Sequence, residues 1–112
     1  MREDGKLDYL ELPGGDLPAS KAFYGAAFGW KFIDYGPEYA AFDEGLDGGF
    51  DAQADAVRMP LPVLFATDLE AMLARVQAAG GTIVEPIFAF PGGRRFHFRD
   101  PAGNELAVWS ET

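Results

Sequence analysis

The chain has 112 residues, of which 48% are hydrophobic and 14% aromatic, and this content suits one compact domain with a real core. Its formal net charge of −9, from 18 acidic and 9 basic residues, disfavours contact with a phosphate backbone, so we expect no nucleic-acid partner. The absence of cysteine excludes disulfides, thiolate catalysis and cysteine-based metal sites.

The cellular location of the protein is predicted from the distribution of apolar and charged residues along the chain. No apolar run approaches the ~20 residues that cross a bilayer. The charged N-terminus, MREDGKLDYLE, has no apolar signal-peptide centre. We therefore expect a cytoplasmic protein with no membrane partner.

The first half of the chain predicts one strand, one helix and three further strands. Alternation in LDYLEL indicates a strand over 7–12, and Asp16 occupies an N-cap position before a helix that begins at Leu17. Strands follow at 30–35, 38–43 and about 48–52, separated by Gly-Pro and by the glycine-rich EGLDGG.

The second half predicts the same series. An apolar run at 61–67 indicates a strand, Asp68 is the next N-cap, and the spacing of Leu69, Met72, Leu73, Val76 and Gly80 is typical of an amphipathic helix. Strands are predicted at 82–90, 94–99 and 104–110, with turns at PGG and DPAGN.

The two halves register at a constant offset of 52, with Asp16 on Asp68 and Gly29 on Gly81, both glycines standing where a helix should stop. This predicts an α+β fold of two βαβββ modules in a single domain over 1–112. Module one covers about 6–53, a linker about 54–60, and module two about 61–111. A four-stranded sheet with one helix cannot bury both faces, so we expect the free face of each sheet to meet the sheet of the other module.

These modules, together with FYGAAFGW, the D-x-x-x-x-x-x-F-Y pattern that begins at Asp16, and DPAGN, resemble the vicinal oxygen chelate superfamily over about Leu7 to Ser110. That group includes glyoxalase I, extradiol dioxygenases, fosfomycin-resistance enzymes and bleomycin-binding proteins. The resemblance implies that the curved mixed sheets of the two modules form an open cleft, that the protein is a homodimer and, in the metal-using members, that a divalent ion lies in the cleft. Proteins with this fold carry out several different reactions, so the resemblance alone does not identify the function of the chain.

The resemblance also places the metal ligands, at Tyr9, Leu61, Ala107, and either Asp51 or Ala52. Phenol, isobutyl and methyl groups cannot supply the converging donors that a divalent ion requires. We therefore expect no bound metal and no cofactor.

Strand alternation predicts what lines the cleft instead. The predicted ligand-binding residues are Tyr9, Glu11, Val63, Phe65 and Trp109. Glu11 and His97 are the candidates for acid–base chemistry. The alternatives are structural: Phe65 and Trp109 fill the space between two sheets, Glu11 lies at the rim or pairs with an arginine of 94–99, and His97 is an ordinary hydrogen-bonded residue.

The function predicted from these residues is metal-independent binding of a small, partly apolar molecule, as in glyoxalase-like and bleomycin-resistance-like proteins. One alternative is a divalent-metal-dependent lyase, isomerase or dioxygenase with a displaced site, for which Glu11, His97 and Asp51 or Glu105 would have to converge. The other alternative is an interaction module without a ligand.

Overall fold

The computed structural model describes residues 2–53 and 58–112, so residues 54–57 of the predicted linker lie outside the described residues. The described residues form two helices and eight strands, and none of the helices is long and apolar enough to span a bilayer. In chain order these are β1 (Leu7–Pro13), α1 (Leu17–Phe28), β2 (Ile33–Asp34), β3 (Tyr39–Asp43), β4 (Asp47–Asp51), β5 (Leu61–Phe65), α2 (Leu69–Ala78), β6 (Thr82–Phe90), β7 (Gly93–Arg99) and β8 (Glu105–Ser110). The predicted α+β class is confirmed.

The chain divides into two compact units. The first unit comprises Tyr9–Leu61, and the second comprises the N-terminal residues up to Asp8 together with Pro62–Thr112. Residues 4–6 belong to the second unit because they pair with β5: the Gly5 amide donates to the Phe65 carbonyl, 2.8 Å away, and the Phe65 amide donates to the Lys6 carbonyl at 3.1 Å.

The first unit places its strands in the order β2-β3-β4-β1. The β2/β3 and β3/β4 pairs are antiparallel, whereas β1 and β4 are parallel, as the helical connection through α1 allows. The buried core of this unit consists of Leu17, Ala40, Phe42 and Phe50.

The second unit has the corresponding order β6-β7-β8-β5, again with its first and last strands in chain order, β5 and β8, parallel. Its core lies between α2 and one face of the sheet and consists of Ala66, Leu69, Phe96 and Val108. Both units therefore have the element order expected of a βαβββ module.

Both predicted N-caps are confirmed. The Asp16 carboxylate accepts from the Ala19 amide at 3.2 Å, and the Asp68 carboxylate accepts from the Ala71 amide at 3.0 Å. Gly29 ends α1 in the left-handed region, with φ of 73°.

The predicted stop at Gly81 is wrong by one residue. The left-handed residue after α2 is Gly80, with φ of +106°, so Gly80 lies beyond the helix rather than on its apolar stripe. Gly81 has a different reason to be glycine, because a Cβ there would lie 2.6 Å from Val76 Cγ1.

The strand predicted at 30–35 is also wrong in extent, since only Ile33–Asp34 pair as β2. The aromatic residues before β2 serve the core of the first unit instead. The Trp30 ring stacks on Tyr24 and packs against Phe42, each with ring centroids 4.8 Å apart. The remaining strands agree with the sequence prediction to within two residues.

The D-P-A-G-N turn forms as predicted and joins β7 to β8. The Asp100 carboxylate accepts from the backbone amides of Ala102 and Asn104, both at 2.9 Å, and from the Asn104 side chain at 3.0 Å. These hydrogen bonds lower the pKa of Asp100. The turn fixes the register in which Arg99 opposes Glu105 and His97 opposes Ala107.

Candidate functional site

The sheet of the second unit has one face against α2 and an opposite face that carries most of the predicted site. Phe96 and Val108 belong to the core beneath α2. Because side chains alternate along a strand, His97 and Ala107 point to the other side, which we call the helix-free face of the second unit. Both residues are buried, at 5% and 0% exposure.

Trp109 is held at this face by four neighbours. Its indole N–H donates to the Asp8 carboxylate at 2.9 Å, and the same carboxylate oxygen lies 3.3 Å from Nε of Arg2. The Arg2 guanidinium lies over the indole, 5.0 Å from the ring centroid. Phe65 meets the indole edge-on with ring centroids 5.5 Å apart, and Phe90 lies at 6.3 Å.

His97 forms a dyad with Glu105, the residue that the turn places diagonally opposite it on β8. Nδ1 of the imidazole lies 2.8 Å from Oε2 of Glu105. The other ring nitrogen, Nε2, is buried and has no hydrogen-bond partner among the described residues. A buried polar atom without a hydrogen-bond partner costs about 1–3 kcal/mol of stability. Such atoms are uncommon in folded proteins unless they serve a function or contact water.

An aromatic ring lies beside the dyad, and an arginine links it to a second ring. The Phe88 ring on β6 lies 5.7 Å from the imidazole and is 36% exposed. The Arg95 guanidinium lies 5.5 Å from the Phe88 ring and 5.7 Å from the Phe90 ring. The helix-free face of the second unit thus combines apolar rings with a few oriented polar groups.

The first unit has its own polar cluster, on the face of its sheet opposite α1. Tyr9 and Tyr39 share a hydrogen bond between their hydroxyl groups. A Cβ at Gly49 would overlap the Tyr39 hydroxyl, so this glycine makes room for the phenol pair. Glu11 is 6% exposed, and the Asp51 carboxylate accepts from the Gln53 amide at 2.9 Å.

The environment of Tyr39 strongly favours its neutral form. Burial raises the pKa of Tyr39 far above its ordinary value of 10.0, and the hydrogen bond with Tyr9 raises it further. The negative charges of Glu11 and Asp51 act in the same direction, so both carboxylates lie near the phenol. Asp51, rather than Ala52, is therefore the residue on this face, and Ala52 packs against the core of the first unit.

We expect this pKa shift to make the protein less stable in alkali. Below pH 10 the Tyr39 phenol is neutral in both the folded and unfolded chain, so its stabilising contribution is complete. Above that pH the unfolded chain loses the proton while the folded chain keeps it, and the free energy of unfolding falls. Urea unfolding from pH 8 to 11 measures this fall.

The fall should be smaller in Tyr39→Phe than in the parent chain. The matched control is Tyr35→Phe, because Tyr35 is 65% exposed and has no comparable burial. Parallel pH profiles for the parent chain and Tyr39→Phe would contradict the expectation.

The positions at which the resemblance places metal ligands do not fit a metal ion. Leu61 and Ala107 are buried hydrocarbon, and the Tyr9 hydroxyl is hydrogen-bonded to Tyr39. Within 2–53 and 58–112, no group of three or more His, Asp or Glu side chains is arranged to hold a metal ion.

Sequence reasoning identified several residues of these two faces but missed their partners. The acid that pairs with His97 is Glu105, whereas the sequence pointed to Glu11 as the acid–base candidate beside His97 and to Glu105 only in the metal-enzyme alternative. Tyr39, Asp8 and Phe88 were not singled out. Alternation in EYAAFD does place Tyr39 opposite the core residues Ala40 and Phe42, so that signal was present.

The fold is that of a protein built from βαβββ units. In each unit the helix packs on one face of the β-sheet, and the polar and aromatic residues described above lie on the opposite face. Comparison with known proteins gives the family: residues 6–108 match the model of the Glyoxalase/Bleomycin resistance protein/Dioxygenase superfamily. The chain belongs to this superfamily.

Individual relatives agree with that assignment. The anthracycline biosynthesis protein DnrV of Streptomyces peucetius is 31% identical over 94% of this chain, which spans 46% of that relative's length. A glyoxalase from Novosphingobium aromaticivorans, solved with Mn(II) bound, is 26% identical with a TM-score of 0.69, covering 99% of this chain and 40% of that one. A superfamily member from Vibrio splendidus 12B01 is 18% identical with a TM-score of 0.73, covering 94% and 99% of the two chains, and shows the fold alone.

Proposed function

We propose that this chain binds a small, partly apolar molecule at the helix-free face of the second unit, without a metal ion held by the protein. The observation that carries the proposal is the composition of that face. Half-buried aromatic rings surround a small number of oriented polar groups, which is the usual make-up of a small-molecule site.

The rings supply the apolar contribution. Phe88 is 36% exposed, and Phe90 and Trp109 are half-buried, so each retains surface that a ligand can cover. Covering apolar area contributes roughly 25 cal/mol per Å². Orientation would come from the dyad of His97 and Glu105.

The proposal is tested with the neutral aromatic dye N-phenyl-1-naphthylamine, whose fluorescence rises in apolar surroundings. We expect saturable binding that is unchanged by EDTA. Replacement of Phe90 by alanine removes a ring from the face and should weaken binding by about tenfold, which corresponds to about 1.4 kcal/mol.

The matched control is Phe23→Ala, the same substitution at a residue of α1 that is 59% exposed. Its dye affinity should equal that of the parent chain. Binding that requires added Mn²⁺, Ni²⁺ or Zn²⁺ would contradict the proposal, as would equal weakening by both substitutions.

We propose a homodimer as the assembly. An exposed apolar side chain at the β2 edge of the first unit supports it, since Ile33 is 63% exposed. Native mass spectrometry of the purified chain counts the subunits, and a monomer at micromolar concentration would contradict the proposal.

A further inference from the structure

The unpartnered nitrogen of His97 defines what a ligand must offer. The side chain is 5% exposed, Nε2 has no hydrogen-bond partner among the described residues, and Nδ1 is engaged by Glu105. Nε2 is therefore the ring nitrogen that remains for a ligand, and the Phe88 ring lies beside the imidazole.

The dyad sets the chemical character of that position. An ionised carboxylate only accepts hydrogen bonds, so the 2.8 Å contact places a hydrogen on Nδ1 of His97. In the neutral ring, Nε2 then carries a lone pair. A lone pair accepts a hydrogen bond, so the group that satisfies it must be a donor such as a hydroxyl.

The surroundings of the dyad favour an aromatic carrier for the hydroxyl. The Phe88 ring lies against the imidazole at 5.7 Å, and offset or edge-on ring contacts are favourable at this range. Phe88 is 36% exposed and lies where the β6/β7 pairing shifts register between Glu85 and Phe88. Because Nε2 is buried, a ligand reaches it only if neighbouring side chains move, and the partly exposed Phe88 ring is one neighbour in contact with the imidazole.

We infer that the ligand is a hydroxylated aromatic compound whose hydroxyl group donates a hydrogen bond to Nε2 of His97. This inference rests on the proposed function and adds the class of ligand to it. Glu105 acts as a positioning residue, because it holds the imidazole in the form that accepts at Nε2.

The test uses two compounds that differ in the donor alone, 2-naphthol and its methyl ether 2-methoxynaphthalene. Isothermal titration calorimetry with the parent chain should give about tenfold tighter binding of 2-naphthol, as expected for one hydrogen bond to a buried acceptor. In His97→Leu the two affinities should become equal. Glu105→Gln keeps an acceptor for the Nδ1 hydrogen and should preserve most of the difference.

A second measurement needs no substitution at His97. The chain contains one histidine, so both imidazole ¹⁵N signals come from His97, and their couplings to the ring protons distinguish Nδ1 from Nε2. In the free protein, Nε2 should have the chemical shift of a nitrogen without hydrogen. Addition of 2-naphthol should move the Nε2 signal more than the Nδ1 signal, and 2-methoxynaphthalene should not.

The outcomes separate this inference from the proposed function. Equal binding of both compounds, with the Phe90→Ala effect retained, would leave the proposed function in place and overturn the inference. An Nε2 signal that carries hydrogen in the free protein, or that does not respond to 2-naphthol, would also overturn it. Failure of both compounds and the dye to bind would overturn both.

Discussion

Replacement of Gly93 by alanine is expected to lower the free energy of unfolding by about 3 kcal/mol, at the upper end of the usual cost of overpacking. A Cβ at this position would overlap the Ser110 carbonyl oxygen and would lie 3.0 Å from the Ser110 carbonyl carbon. Both atoms are backbone of the neighbouring strand, so no side-chain rotation relieves the collision. Urea unfolding followed by far-ultraviolet circular dichroism measures the loss.

The control substitution, Gly25→Ala, is expected to change the free energy of unfolding in the opposite direction. Gly25 lies inside α1, and the nearest atom to an added Cβ would be the Trp30 carbonyl oxygen, at 3.6 Å. Alanine should therefore raise the free energy of unfolding by about 0.5–1 kcal/mol, the ordinary gain in a helix interior. Equal stability of Gly93→Ala and the parent chain would show that β7 and β8 have room to separate at that point.

The same close approach matters to the candidate site. Gly93 begins β7, and the β7/β8 register that follows it places His97 opposite Ala107 and diagonal to Glu105. A forced separation of the strands at Gly93 would strain the alignment on which the dyad depends.

The fold was predictable because its signals are local. An N-cap carboxylate satisfies amides within its own helix, and the Asp100 turn is closed by hydrogen bonds to residues two and four positions away. These signals lie within a few residues of one another, so Asp16, Asp68 and the D-P-A-G-N turn were all identified correctly from sequence.

The partners within the candidate site were less predictable because they depend on strand pairing. Trp109 and Asp8 are 101 positions apart and meet only because residues 4–6 pair beside β5. Tyr9 and Tyr39 meet through the pairing of both β1 and β3 with β4. A sequence pattern gives the face of the sheet on which a side chain lies, but it does not give the residue that this side chain contacts on a neighbouring strand.

The errors in strand and helix ends have a similar origin. Aromatic residues before β2 are compatible with a strand, and packing of Trp30 against Tyr24 and Phe42 removes them from it. After α2, the sequence predicted the stop at Gly81, whereas the left-handed residue is Gly80 and the Gly81 amide donates to the Val76 carbonyl at 2.9 Å.

Replacement of Trp109 by alanine is expected to lower the free energy of unfolding by about 3 kcal/mol, in the range for deletion of a large aromatic side chain. The indole packs on Phe65 and Phe90, and it is the donor that fixes Asp8. Phenylalanine would retain most ring contacts while losing the indole N–H. Trp109→Phe should therefore cost about 1 kcal/mol, the net value of one hydrogen bond.

A double-mutant cycle separates the hydrogen bond from the packing. Trp109→Phe combined with Asp8→Ala should show a coupling free energy of about 1 kcal/mol, because the two side chains are in direct contact. The exposed ion pair of Lys21 and Asp34, with its atoms 2.8 Å apart, is the control, and double alanine substitution there should show a coupling below about 0.5 kcal/mol. Coupling of equal size in both cycles would mean that Asp8 contributes only surface charge. In that case the N-terminal residues would be held to the second unit mainly by the backbone pairing of Gly5 and Lys6 with Phe65 and by the hydrogen bonds that the Asp4 carboxylate accepts from Thr67.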